Sequence, residues 1–265
     1  MGLLDLFQTK KQRRRQLQQK PLPDHVLEWM KNIPAYQNVP DQLRDTLNGH
    51  MQVLLDEKTF EGCGGLKVND QMRYMVTLHA AKLLLGGISD YYPDLRSILL
   101  YPDTYHAPFR KNRNGFVVTE GVESRIGESW SRGHVVLAWN AVWEGCSRND
   151  GYNVVFHEFA HQLDHEYGLS EQIEACQYPH NSEPELIMNW YREYQHYLRR
   201  LRRHQQPLVL DPYAATSAAE YFAVATESFF EKPQELRRIY PDLYDLMVDF
   251  YQLDMADWKR EIDDK

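Results

Sequence analysis

The sequence predicts an α+β protein, mostly helical, with one small sheet. Apolar residues recur at helical spacing over about 24–32, 41–56, 70–85, 183–204 and 214–230. Between 97 and 139 the pattern changes to short aliphatic and aromatic runs bounded by Pro, Gly and Asn. The 265 residues can bury a full core. One domain over 21–265 is expected, preceded by a basic segment over 1–20.

The first segment pairs a short apolar start with Lys10-Lys11-Gln12-Arg13-Arg14-Arg15. It is read as a frayed, solvated terminus, with an amphipathic basic helix as the alternative. Pro21-Leu22-Pro23 separates it from three scaffold helices, the last begun by the cap residue Asn69 and closed by Gly86-Gly87. His79 falls among Val76, Leu78, Ala80 and Ala81 and is read as a packed histidine. Three strands follow, Ser97–Tyr101, Gly115–Thr119 and His134–Trp139. The third is expected to be an edge strand able to accept an extended peptide, with an interior strand as the alternative. A further helix starts after Asp150 or Asn153 and ends near Gly168. A long helix then runs from about Glu183 to His204, with a basic tail from Arg199 that suits a helix C-terminus. The loop from Gln177 to Glu183 is a candidate lid.

Composition narrows the functional classes. At 43% hydrophobic and 26% charged, the chain shows ordinary globular usage without pervasive disorder. Its net charge of -8 argues against direct nucleic-acid binding, because phosphate contacts need a net basic face. Cys63, Cys146 and Cys176 form no C-x-x-C pair, which fits a reducing cytoplasm. The start has too few apolar residues for a signal peptide, and no apolar run approaches the roughly 20 residues needed to span a bilayer. A cytoplasmic protein is expected.

The chemistry concentrates in His157-Glu158-Phe159-Ala160-His161, an H-E-x-x-H sequence. An α-helix turns about 100° per residue, so the two histidines share a face and can meet one metal ion. Glu158 is offset around the helix and can reach a metal-bound water without becoming a ligand. A third ligand must come from elsewhere. Glu220 and Glu227, seven residues apart, form an acidic stripe on the helix over 214–230, in a field of Tyr221, Phe222, Ala225, Phe229 and Phe230. Buried carboxylates need a cationic partner, which assigns Glu220 as third ligand and Glu227 as the carboxylate that orients a ligand. A metzincin would require Gly at 164 and His at 167, where this chain has Asp164 and Tyr167. Asp164 is assigned a supporting role beside a ligand histidine, and His165 a surface or core position. Two histidines and a carboxylate suit one Zn2+.

With His157-Glu158-Phe159-Ala160-His161, Tyr213, Glu220-Tyr221-Phe222-Ala223 and the approach segment Glu128–Trp139, the sequence resembles the Mlc titration factor A family of enteric bacteria over essentially the whole chain. That family is similar to the catalytic domain of anthrax lethal factor, which shares the seven-residue spacing of Tyr and ligand Glu. The resemblance implies a zincin-like fold with the small sheet packed beside the metal helix, and a gluzincin peptidase with aminopeptidase-like action on small peptides. It implies that His157, His161 and Glu220 bind zinc, that Glu158 activates water, and that Tyr213 donates to the developing oxyanion. From the residues alone, Tyr213 is a loop or packing tyrosine. The resemblance also implies a partner, the glucose-responsive repressor Mlc, whose sequestration relieves repression of the glucose phosphotransferase system. The alternative is a non-catalytic repressor-binding protein whose zinc is structural.

Overall fold

The computed structural model describes residues 9–103, 105–113, 117–125, 127–130, 133–176, 184–203 and 209–258, with the backbone alone over 105–130. The candidate lid over 177–183 lies outside the described residues.

Helices come first. They are α1 (Lys10–Gln19), α2 (Asp24–Met30), α3 (Pro34–Gln37), α4 (Asp41–Glu57) and, after the first strand, α5 (Asp70–Lys82). The expected frayed terminus is corrected over 10–19, where the chain forms a helix that packs along α4. Thr9 caps α1 in a reciprocal box with Gln12. The guanidinium of Arg14, only 8% exposed, donates to both carboxylate oxygens of Glu57 at 2.6 and 2.8 Å, and also to Asp90. Arg13 donates to Asp56 at 2.8 Å. Hydrophobic periodicity could not reveal this contact because α1 carries a single apolar residue, Leu17, packed on the core, and charge pairs supply the other named contacts to α4. Gly49 permits the approach: a Cβ there would lie 2.8 Å from the Gln18 carbonyl oxygen. Asn69 caps α5 by accepting the Met72 N–H, as expected. His79 is buried, with its Nδ1 3.0 Å from the Met75 carbonyl oxygen.

Six strands are described, β1 (Thr59–Gly62), β2 (Ser97–Tyr101), β3 (Tyr105–Arg113), β4 (Val117–Arg125), β5 (Gly127–Trp130) and β6 (His134–Ala138). Four of them form one sheet in the order β1-β2-β6-β5, the first three parallel and β5 antiparallel to β6. The small sheet is as expected, but its membership differs. Of the strand expected over Gly115–Thr119, the described residues 117–119 fall in β4, which pairs antiparallel with β3 as a separate two-stranded sheet, and 115–116 lie outside the described residues. β6 is interior, so the edge beside it belongs to β5. The unbroken run Val135-Val136-Leu137-Ala138 is fully buried, the pattern of a strand covered on both faces.

The second half is helical: α6 (Trp139–Ser147), α7 (Val154–Tyr167), α8 (Leu169–Ala175), α9 (Glu185–Arg202), α10 (Ala218–Glu231), α11 (Pro233–Ile239) and α12 (Pro241–Tyr251). Around α7 lie α10, α5, α6, β5 and β6. Phe156 stacks on Phe230 with centroids 5.0 Å apart, and Phe159 meets Tyr92 edge-on at 4.9 Å. Each of these fully buried rings contributes about 1.5 to 3 kcal/mol by leaving water. The apolar flanks of α7 therefore fix the helix, and its polar stripe is held where the core places it. Among the described residues, no helix is long and apolar enough to cross a membrane.

Candidate metal centre

Two caps set the register of the two site helices. Asn153 starts α7 by accepting the Val155 and Phe156 N–H groups at 3.1 and 3.2 Å. Gly168, with φ at 62°, ends it in the left-handed conformation that a Cβ disfavours. Ser217 starts α10 by accepting the Glu220 N–H at 3.1 Å, which puts Glu220 in the first turn. The result is a convergence of three ligand atoms. His157 Nε2 and His161 Nε2 are 3.2 Å apart, and Glu220 Oε2 lies 3.0 and 3.4 Å from them.

These three atoms fit a metal ion. Ligands about 2.0 to 2.1 Å from a tetrahedral zinc stand roughly 3.3 Å from one another, the size of the triangle found here. The proton balance agrees. Glu227 Oε1 lies 2.7 Å from His157 Nδ1, so that nitrogen carries the hydrogen and Nε2 turns its lone pair toward Glu220. Glu220 Oε2 is buried, and the neighbours it faces are the two imidazole nitrogens. Three electron-pair donors facing one another call for a cation between them. The site electrostatics point the same way. Burial opposes charge on His157, yet the carboxylates of Glu220, Glu227 and Glu158 outweigh it and hold its pKa well above the ordinary imidazole value, so that a proton on Nε2 supplies the positive charge a metal ion would supply in its place. Burial also opposes charge on Glu220, and His157 and His161 hold its carboxyl below the usual carboxylate range.

Glu158 is buried at the turn between the two histidines. Tyr213 sits in a 3₁₀ turn, Pro212–Ala215, begun by Asp211, whose carboxylate accepts the Tyr213 N–H at 2.8 Å. Its ring lies 6.2 Å from that of His157 and is 53% exposed.

Comparison with known proteins matches residues 8–252 to the family described as glucose-regulated metallo-peptidase M90. The chain belongs to this metallopeptidase family. A Synechocystis protein described as uncharacterized is 37% identical over 252 residues, covering 91% of this chain and 88% of its own length. Proteins named Mlc titration factor A, from Yersinia pestis and Yersinia pseudotuberculosis, are 27% identical over 248 residues, covering 89% of this chain and 87% of theirs. A metallopeptidase family implies a metal ion, typically zinc, and His157, His161 and Glu220 form the one such cluster found among the described residues.

Within this M90 chain, the remaining assigned residues take different places. Glu227, buried on α10, lies with its Oε1 2.7 Å from His157 Nδ1. Asp164 does not reach either histidine. Its carboxylate accepts the Ser170 N–H at 2.7 Å and the Ser170 hydroxyl at 2.6 Å, tying the end of α7 to α8. The periodicity of α7 gave Asp164 the right helix, but the turn at Gly168 supplied a nearer partner. His165 is exposed. Two residues at the site escaped the functional assignment. Tyr152, although 45% exposed, has its phenol pushed up to about 12, by desolvation first and then by the carboxylates of Glu227 and Glu158. Glu231 continues the acidic stripe of α10, four residues past Glu227, and that helical spacing was its available signal.

Proposed function

We propose that the chain is a zinc metallopeptidase of the gluzincin type with aminopeptidase-like action, holding one Zn2+ on His157, His161 and Glu220. The observation that carries this is the triangle of ligand atoms with a buried carboxylate, Glu158, beside it. When bound, zinc supplies a Lewis acid that polarises the scissile carbonyl and lowers the pKa of water toward about 7. The chain's own residues do the rest. Glu158 takes the proton from the attacking water and returns it to the leaving amine nitrogen. Tyr213 donates its hydroxyl hydrogen to the developing oxyanion, worth about 2 to 4 kcal/mol if it acts as other single donors do. Glu227 holds His157 in the tautomer that leaves Nε2 free to ligate. β5, the edge strand next to β6, offers main-chain groups for pairing with an extended peptide.

A second reading, supported by the name of the Yersinia relatives, is that the protein also sequesters the repressor Mlc in the cytoplasm and so affects expression of the glucose phosphotransferase system. It does not require hydrolysis and would serve even with a structural zinc. One pair of measurements separates the two. Wild-type protein should contain about one zinc per chain by elemental analysis. It should also release chromophore from aminoacyl anilides, and Glu158→Gln should keep the zinc and lose turnover by about 100-fold or more. Absence of zinc and of cleavage in wild type would overturn the peptidase. Mlc binding retained by Glu158→Gln would assign repressor binding to a different function of the chain; no Mlc binding by wild type would remove the second reading.

A further inference from the structure

Behind the ligands lies a polar residue whose groups are all engaged. Asn153 is 1% exposed. Its Oδ1 caps α7, and its carbonyl accepts the His157 N–H at 3.0 Å. Its own N–H donates to Glu227 Oε2 at 2.6 Å, on the carboxylate whose other oxygen meets His157 Nδ1. Its side-chain amide donates to the Gly145 carbonyl at 3.1 Å and to Glu231 Oε1 at 3.0 Å. Glu231 Oε2 in turn accepts the Gly151 N–H at 2.8 Å.

A helix cap needs only the Oδ1 acceptor, and Ser or Asp would supply one. Asn adds a donor on the opposite side, and that donor reaches α10. Glu220, Glu227 and Glu231 all stand on α10, while His157 and His161 stand on α7. The Asn153 contacts therefore join the two ligand-bearing helices at one point and fix their register. A metal centre tolerates displacements of only about 0.5 Å before affinity suffers.

We propose that Asn153, gripped by Glu231, is a positioning residue of the metal centre: it sets α10 against α7 so that Glu220 meets the two histidines and Glu227 meets His157. Such groups act through the ligands and touch neither metal nor substrate. The proposal rests on the zinc reading above.

The donor and the acceptor can be exchanged. Asn153→Asp keeps the capping oxygen and loses the amide donor, setting two carboxylates against each other. Adding Glu231→Gln restores a hydrogen bond with its direction reversed, while the new Gln can still accept the Gly151 N–H. The full-length chain, stripped of metal, would be titrated with zinc against a chromophoric chelator, and cobalt-substituted protein would report ligand geometry by its visible spectrum. We expect Asn153→Asp to weaken zinc binding about 10- to 100-fold with an altered cobalt spectrum, and the double variant to regain most of that loss. A zinc affinity for Asn153→Asp within about twofold of wild type, or a double variant no tighter than the weaker single one, would overturn the proposal. Should Asn153→Asp fail to fold, Glu231→Gln alone decides: binding weakened severalfold in a chain whose metal-free melting temperature is unchanged supports the positioning role, and unchanged binding refutes it. Wild type that takes up no zinc would overturn the metal reading and this proposal together; wild type that binds while the variants match it would overturn only this one.

Discussion

Two clusters of inward-facing charge sit in this chain, and they are built on opposite plans. Where α1 crosses α4, the buried Arg14 meets Glu57 and Asp90, and at the exposed rim Arg13 meets Asp56, so each of these cations faces carboxylates at hydrogen-bond distance. Where α7 crosses α10, carboxylates dominate: Glu158, Glu220 and Glu227 surround histidines whose Nε2 atoms point at a carboxylate oxygen. The first cluster is complete in itself and serves to dock a helix. The second gathers carboxylates around two histidines, and its three facing ligand atoms could hold a metal ion. What marks function is therefore not buried charge as such but buried charge left for a ligand to balance.

The largest expected effect tests that asymmetry directly. Glu220→Ala should lower zinc affinity by more than about 100-fold, since it removes a ligand where second-layer changes alone cost 10- to 100-fold. Chelator competition measures it, and zinc binding unchanged in this variant would break the contrast. Zinc should also stabilise the fold through the second cluster only. At a free concentration about 1,000 times Kd the stabilisation is about 4 kcal/mol, read as a zinc-dependent rise in melting temperature. Arg14→Ala should retain that increment in full. Its own effect is smaller: loss of the paired hydrogen bonds to Glu57 destabilises the fold by about 2 to 3 kcal/mol in denaturant unfolding. A loss of zinc affinity in Arg14→Ala would show that the clusters are coupled.

The smallest effect is in acid. Burial opposes the charge on Glu57, but Arg14, with Lys10 and Lys58 behind it, holds the carboxyl below its ordinary value. A depressed carboxylate contributes stability that is present above its unfolded pKa, about 4.3, and is lost as pH falls through the lower folded value. Unfolding free energy should therefore drop between about pH 5 and pH 3. The drop should be shallower in Arg14→Ala. Equal slopes in the two chains would place the acid sensitivity elsewhere.

The site was more legible than its supports. His157, Glu158 and His161 declare themselves by spacing on one helix, and Glu220 and Glu227 by standing in an apolar field where a carboxylate needs a partner. Asp164 shows the limit of that reasoning: it has the residue type and the helix, yet Ser170 takes both its oxygens because the chain turns back at Gly168. β1 and β5 were missed because four-residue strands carry almost no periodicity. The interior place of β6 could not be read because an apolar run looks the same whether or not a neighbour covers its edge.

By itself, the sequence picked out His157, His161 and Glu220, which the fold brings together as a candidate metal centre, and the mostly helical scaffold with its small sheet. Those facts follow from local periodicity and from residue chemistry, which act over a few neighbours along the chain. The tertiary structure alone decided that α1 is clamped by Glu57 and Asp90, that β5 is the edge, and that Asn153 links α7 to α10 through Glu227 and Glu231. Each of these depends on contacts between residues far apart in the chain. Hydrogen bonds and ion pairs choose their partners by position in space, and no one-dimensional pattern records that choice.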